Sequence, residues 1–297
     1  MPTNHSTSTS LLSTLSAAWL RCGPWQATAL VLFGTLTTQT GCSSADAQRK
    51  ANTEKADTHH KLAEGYYASR NIDLAIREVL AALELDPAHG DSRYLYGLIL
   101  FGRMQYEEAA EHFKKALQAK PKLFAARNQL GVTYIELERF HDAVVVLEVL
   151  LKEPTYTTPY LTHNNLGLAW WKLKDLRQAE KHFRMAIFLN PKLCNGHRNL
   201  GLVAMEQRDY SQAVEHLAEA VQRCPQYAEL HLQHGEALEA NRRYEDARQA
   251  YARCLKLAGE TAMGRRCRTR LGPVRDEESN RDEGGRDPRG GDDERAP

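Results

Sequence analysis

The same pattern of small and large apolar residues recurs along residues 56–259 at a nearly constant interval. Five glycines are spaced 34, 36, 34 and 34 residues apart, and Ala63 lies 34 residues before the first: Gly97, Gly131, Gly167, Gly201 and Gly235. A small residue follows each after twelve positions, at Ala75, Ala109, Ala143, Ala179, Ala213 and Ala247. Four positions later stands a large apolar residue: Val79, Phe113, Leu147, Phe183, Leu217 or Tyr251. Self-similarity at a period of roughly 20–50 residues is the signature of a repeat architecture, so the pattern predicts six structural units.

Each unit is predicted to be a pair of antiparallel helices. A glycine in the first helix and an alanine in the second let the two backbones approach closely, and the large apolar residue fills the remaining gap. Proline cannot continue a helix, and a helix-breaking residue stands near the end of each unit: Pro87, Pro121, Pro154, Pro191, Pro225 and, in the last unit, Gly259. Since such units are stable only when stacked, the last one needs a cap. Residues 260–272 are predicted to be a basic capping helix with Leu271 facing inward.

This pattern resembles the tetratricopeptide repeat, most clearly in HNNLGLAWWKLKDLRQAEKHFRMAIFLNP at 163–191. The resemblance implies an all-α fold, a right-handed superhelical solenoid with a concave groove lined by the first helix of every unit. In that family the second, fifth, ninth, twelfth and thirteenth residues of a unit face the groove. The side chains expected there in units two to five are Tyr94, Leu98, Phe101, Asn128, Val132, Ile135, Leu161, Asn164, Leu168, Trp171, Asn195, Arg198, Leu202 and Met205. In unit six the groove turns acidic, with Glu229, Glu236 and Glu239.

The predicted groove is apolar for a surface, and a contiguous exposed apolar strip marks a partner site. Aromatic anchors such as Phe101 and Trp171 are typical of binding hot spots. We therefore expect an amphipathic helix or an extended segment of another protein to bind there. The alternative is that some of these residues pack against each other inside a tight superhelix. The Lys and Asn clamp with which some tetratricopeptide proteins hold a carboxylate is absent, because the ninth residues of units two to five are all aliphatic.

The N-terminal residues read as a targeting segment. Residues 27–36, ATALVLFGTL, are too short to span a bilayer and are typical of the apolar core of a signal peptide, predicted over 1–41. The sequence Thr40-Gly41-Cys42 resembles the lipobox of bacterial lipoproteins, although Gln39 stands where that family usually has Leu. This implies lipidation of Cys42, and Ser43 and Ser44 imply export to the outer membrane. The alternatives are a plain signal peptide and a cysteine that stands there by chance. Residues 42–55 would then form a polar tether on the periplasmic face.

Charge and composition exclude several functions. Lys+Arg 39 against Asp+Glu 38 leaves no positive excess for nucleic acid. Residues 273–297 contain one large apolar residue and are predicted to be disordered. No phosphate-binding or catalytic motif occurs, so we expect no enzyme activity, no cofactor, no metal and no small-molecule substrate. Histidines do recur at two repeat positions, namely His163, His197 and His231, and His112, His182 and His216, but equivalent sites in stacked units repeat because packing repeats.

Four cysteines lie outside the N-terminal segment. Cys194 opens the first helix of unit five and Cys224 ends its second helix, so both lie at the same end of that hairpin. An oxidising compartment permits a bond between them if their separation is below about 7 Å, and the sequence leaves this open. Cys254 occupies a small-residue core position and is expected to be buried.

The third unit is two residues longer than the others; the extra residues lie within 151–172 and are followed by NNLGL. With this interrupted unit, six repeats and a single cysteine after the signal, residues 42–260 resemble the type IV pilus pilotins. These lipoproteins assist assembly of the outer-membrane secretin. The resemblance implies that the groove receives a secretin segment, and that the protein serves pilus biogenesis and pilus-driven motility. Two alternatives remain: a generic periplasmic scaffold for another envelope complex, and an adaptor associated with an enzyme.

Overall fold

The computed structural model describes residues 40–272, and these form thirteen helices without a strand. Six hairpins and a final helix follow one another along the chain. The hairpins are α1 and α2 (Thr40–Ala68, Ile72–Leu85), α3 and α4 (Gly90–Gly102, Tyr106–Ala119), α5 and α6 (Phe124–Glu136, Phe140–Leu151), α7 and α8 (Pro159–Lys172, Leu176–Leu189), α9 and α10 (Cys194–Glu206, Tyr210–Arg223), and α11 and α12 (Ala228–Ala240, Tyr244–Ala258); α13 is Ala262–Leu271. Residues 48–272 belong to one compact unit, and residues 40–47 belong to a separate N-terminal unit.

The close approach of the two helices is confirmed in the five hairpins whose first helix carries the repeat glycine. A Cβ atom on Gly167 would lie 2.5 Å from the ring of Phe183, and one on Gly97 would lie 2.6 Å from the ring of Phe113. Real Cβ contacts are essentially never below 3.0 Å, so any larger side chain would push the two helices apart. The six repeat alanines of the second helices are buried beneath these contacts.

Each hairpin turns through one residue in the left-handed region. These residues are Arg70, Met104, Glu138, Lys174, Arg208 and Arg242, with φ between 58° and 66°. Their turns share a pattern: the N–H of Gln105 donates to the carbonyl of Leu100, and that of Asp175 donates to Trp170. Such bonds satisfy the last carbonyls of the first helix. The repeat pattern did not predict these turn residues, because none of the six is Gly or Asn.

Consecutive hairpins pack through the second helix of one and the first helix of the next, as α4 does on α5 and α8 on α9. First helices also meet directly, α5 with α7 and α7 with α9. We call the surface formed by the first helices the groove face. The surface formed by the exposed sides of the second helices is the outer face.

The N-terminal tether differs from expectation, because 42–55 lies within helix α1. This stretch has no Pro or Gly beyond Cys42 and is rich in Ala, Gln, Arg, Lys and Glu, which favour helix. Packing also begins before residue 56: Ala51 and Asn52 are partly buried, and the Thr53 hydroxyl donates to Asp86 Oδ2 at 3.0 Å. The predicted signal peptide and the charged tail lie outside the described residues, apart from the helical 40 and 41.

The C-terminal end carries two disulfide bonds. Cys194 and Cys224 are bonded across the end of the fifth hairpin, with Cα atoms 6.1 Å apart. Cys254 is buried as predicted, but it is also bonded to Cys267 of α13, with Cα atoms 6.0 Å apart. This second bond fixes the capping helix to α12, and Leu271 packs against the same core. The predicted cap is therefore confirmed, with a covalent link that the repeat pattern did not predict.

Candidate functional site

The groove face carries the fourteen side chains selected from the repeat register. Twelve are partly exposed, and Asn195 and Leu161 are exposed, the latter at 38%. None is buried. Several also rest on the core beneath: Tyr94, Leu98, Phe101 and Ile135 pack against one buried cluster, and Leu168 and Trp171 against the next. These side chains are thus held in place by packing while one side remains open to solvent.

A polar ladder runs along the same face between hairpins. Asn128 Oδ1 accepts hydrogen bonds from Thr162 at 3.3 Å and from Asn165 at 3.2 Å. Asn164 Oδ1 accepts from Asn199 at 3.0 Å. The carbonyl oxygens of Asn128 and Asn164 therefore join one unit to the next.

Trp171 lies at the junction of units four and five. Its indole Nε1 donates to Glu206 Oε2 at 2.5 Å, and Lys174 donates to Glu206 Oε1 at 2.8 Å. These bonds from Lys174 and Trp171 hold the pKa of Glu206 below its ordinary value. The hydrogen bond fixes the edge of the indole, so the ring is oriented before any ligand arrives.

The three glutamates at the unit-six end of the groove already form ion pairs with arginines of the same chain. Glu229 accepts from Arg198 at 2.8 Å. Arg270 of the capping helix lies 3.7 Å from Glu236 and 3.5 Å from Glu239. The acidic positions of unit six are therefore occupied by ion pairs within the chain, those of Glu236 and Glu239 with α13.

A cavity of the groove face lies between α1 and α3, in units one and two. It measures about 730 Å³, and both Tyr94 and Leu98 line it. It is also lined by residues of unit one that the sequence analysis did not select: Asp57, His60, Glu64, Tyr67 and Ala68. These are the second, fifth, ninth, twelfth and thirteenth residues of that unit, so the register rule applied to unit one would have found them. A second cleft of about 380 Å³ shares Tyr67 and Leu98.

One pair of the repeated histidines meets between the two helices of a hairpin: His163 Nδ1 lies 3.0 Å from His182 Nδ1. His197 and His231 instead contact the carbonyl oxygens of Pro191 and Pro225 through Nε2. Burial lowers the pKa of His182 to about 4 and also lowers the pKa of His163. Within 40–272 no cluster of three or more His, Cys, Asp or Glu side chains is arranged to hold a metal ion.

Among the residues with described structure, none of the helices combines the length and the apolarity that a membrane-spanning segment requires. Cys42 lies near the start of α1, outside the part whose side chains are described, so its lipidation remains a prediction.

Comparison with known proteins matches this architecture. Models of the tetratricopeptide repeat match residues 60–123, 100–155 and 198–260, which together exceed half of the chain. The type IV pilus assembly protein PilF of Pseudomonas aeruginosa is 26% identical over 156 residues, which are 51% of this chain and 62% of that protein. The alignment thus spans under two thirds of the relative's length.

Two solved structures have the same fold. One is PilW, described as a widely conserved type IV pilus biogenesis factor, with a TM-score of 0.66, 20% identity and coverage of 71% of this chain and 96% of that one. The other is Pseudomonas aeruginosa PilF, with a TM-score of 0.62, 21% identity and coverage of 72% and 97%. At these identities the likeness concerns the fold.

Proposed function

The chain belongs to the tetratricopeptide-repeat family, and we propose that it binds a protein partner along its groove face during type IV pilus biogenesis. The partner we propose is the outer-membrane secretin of the pilus, whose assembly or outer-membrane localisation the protein would promote. The groove would take an apolar segment of the secretin through anchors such as Phe101 and Trp171. The protein would act as a scaffold, without a cofactor and without catalysis.

The main support for protein binding is that the groove side chains are ordered by packing and still exposed to solvent. All fourteen predicted residues keep exposed surface, and ten of them are apolar or aromatic, counting Tyr94. Seven of the ten also pack against the buried core. Ordered apolar side chains with one open side are suited to a ligand, because little conformational entropy remains to be lost on binding. The similarity to a pilus assembly protein over half of the chain favours a pilus partner.

An exported, lipid-anchored location is part of the proposal. The two disulfide bonds support it, because disulfides persist in oxidising compartments such as the periplasm and are rare in the cytosol. Diacylglycerol on Cys42 and two or more acyl chains would give stable anchoring, since each buried methylene contributes roughly 0.8 kcal/mol. Replacing Cys42 by Ala is expected to abolish labelling by radioactive palmitate and to release the protein into the soluble periplasmic fraction.

Deletion of the gene followed by gel analysis of the secretin tests the function. We expect loss of the heat-resistant secretin multimer in unheated samples, together with loss of pilus-driven motility. An unchanged multimer would reject the role in secretin assembly. The alternative, a periplasmic scaffold for another envelope complex, predicts an intact multimer and normal motility.

A further inference from the structure

The outer face of the fourth hairpin carries an apolar cleft with a basic rim. The cleft measures about 810 Å³ and lies along α8, where Met185, Ile187 and Phe188 line it together with Pro191. Phe188 is 78% exposed and Met185 is 41% exposed. Most of a phenylalanine side chain is thus in water, on the face opposite to the groove.

The other five hairpins show that the fold does not require this phenylalanine. The residue at the same repeat position is polar and exposed in each of them: Glu84, Gln118, Lys152, Gln222 and Lys256. The buried positions of α8 keep the repeat pattern, with Ala179, Phe183 and Ala186 fully buried. Packing therefore explains the inner side of α8 and leaves Phe188 unexplained.

The charges of α8 depart from the repeat in the same way. Arg177 stands in the first turn, where its equivalents are Asp73, Glu107, His141, Ser211 and Glu245. A cation there opposes the helix dipole, which favours negative charge near the N-terminus. Arg177 and Lys181 both line the cleft and are exposed, and neither forms an ion pair within the described residues. Arg184 does, with Glu180 at 2.8 Å.

We propose that this cleft is a second protein-binding site, which takes an acidic amphipathic helix of a partner. The apolar side of that helix would cover Phe188 and Met185, and carboxylates at one end would pair with Arg177 and Lys181. From Arg177 to Phe188 the site spans twelve residues, or roughly 16 Å at about 1.5 Å for each of the steps between them, which matches about three turns of a helix. The unpaired cations Arg177 and Lys181 at the rim of the cleft select an acidic occupant.

The site is distinct from the groove, so the protein would join two partners. The groove face would hold one and the outer face of unit four another, as a bridging scaffold requires. The chain's own segment 273–297 is a poor occupant, because Val274 is its only large apolar residue.

Substitutions borrowed from other hairpins test the proposal without disturbing the fold. Phe188→Gln introduces the residue of units two and five, and R177E with K181E introduces the acidic residues of unit two, Glu107 and Glu111. Met104→Gln is the matched control, since Met104 is 75% exposed and does not line the cleft. Trp171→Ala is the control for the groove. Thermal unfolding should give similar midpoints for F188Q, the double variant and M104Q.

The probe is a pair of fluorescein-labelled helical peptides of about four turns, with leucines at positions i, i+3, i+4 and i+7. One has glutamates at its other positions and the second has lysines there. In fluorescence anisotropy with the full chain, we expect the acidic peptide to bind at least tenfold more tightly than the basic one. F188Q and the double variant should each weaken that binding at least tenfold, whereas M104Q and W171A should leave it within twofold.

Several results would overturn the proposal. Equal binding of the two peptides, or binding that neither cleft variant weakens, would remove the acidic helix as the occupant. Flotation with phosphatidylglycerol vesicles that F188Q abolishes, without peptide binding, would assign the face to a membrane. A dimer in sedimentation that F188Q dissociates, without peptide binding, would assign it to a second copy. None of these results bears on the groove, which W171A tests separately.

Discussion

The indole of Trp171 donates a hydrogen bond to the carboxylate of Glu206, 35 residues further along the chain, at 2.5 Å. The two residues belong to consecutive first helices, α7 and α9, so the bond joins two units across the groove face. Trp171 is also supported from below by the cluster around Phe183 and Leu200. A groove residue here contributes to the stacking of repeats as well as to the surface offered to a ligand.

Replacing Trp171 by Ala should lower the free energy of unfolding by about 1 kcal/mol, since one hydrogen bond and part of the ring's packing are lost. Glu206→Gln keeps an acceptor for the indole and should change the free energy by less than about 0.5 kcal/mol, as is usual for exposed ion pairs. Urea titration followed by circular dichroism measures both. A larger loss for E206Q than for W171A would mean that the charge, rather than the ring, holds the two units together.

The contact between Gly167 and Phe183 makes a second prediction. A methyl group on Gly167 would stand 2.5 Å from the ring of Phe183, and overpacking of this kind costs about 1–3 kcal/mol. G167A should therefore unfold at a lower temperature. Gly65→Ala is the control, because nothing lies within 4 Å of a Cβ in this exposed position of α1. Alanine there should raise stability by about 0.5–1 kcal/mol, and a loss in G65A equal to that in G167A would contradict the packing argument.

Much of this architecture followed from the sequence, because the glycine of the first helix and the large residue sixteen positions later contact each other within one unit. Local contacts of this kind repeat, so six imperfect copies reinforce one another. The bond between Cys254 and Cys267 could not be predicted in this way, since α13 has no counterpart in the repeat. The asparagine ladder could not be predicted from the repeat register. The register shows that Asn128 lies on the groove face, but it does not show that Thr162 and Asn165 of the next unit donate hydrogen bonds to it. The cleft of α8 was not predicted, because the repeat pattern concerns only the buried positions of the second helices.

Stability should fall as the pH is lowered from about 6.5 towards 4. Burial lowers the pKa of His182 and of His112 to about 4, against an ordinary value of 6.5. The unfolded chain therefore takes up protons below pH 6.5 that the folded chain takes up only near pH 4. The stability is present above 6.5 and is lost as the pH falls through this window.

His182→Val, which introduces the equivalent Val146 of unit three, tests the contribution of one site. Melting temperatures at pH 7.5 and 4.5 should differ less in H182V than in the wild type, whereas H141Q, at an exposed position, should retain the wild-type difference. An unchanged pH dependence in H182V would show that the histidine pair is not responsible.

The disulfide bonds should stabilise the C-terminal units selectively. Each closes a loop, of 30 and 13 residues in sequence separation, and bonds of this kind typically contribute about 3 kcal/mol. Because repeats interact mainly with their neighbours, reduction should speed hydrogen exchange in α9 to α13 and leave α3 to α6 nearly unchanged. Mass spectrometry after alkylation without reductant should find Cys194, Cys224, Cys254 and Cys267 unmodified. Alkylation of all four in the native protein would contradict the structure.

Direct binding of the pilus secretin to the purified chain tests the central claim. Titration by isothermal calorimetry should give a saturable complex with the wild type, and W171A should weaken it at least tenfold, as expected when a hot-spot tryptophan is removed. F101A should weaken it as well, while E206Q, which keeps the ring, should bind within threefold of the wild type. Absence of a complex, or equal affinity of the wild type, W171A and F101A, would contradict the proposal that the groove face receives the secretin.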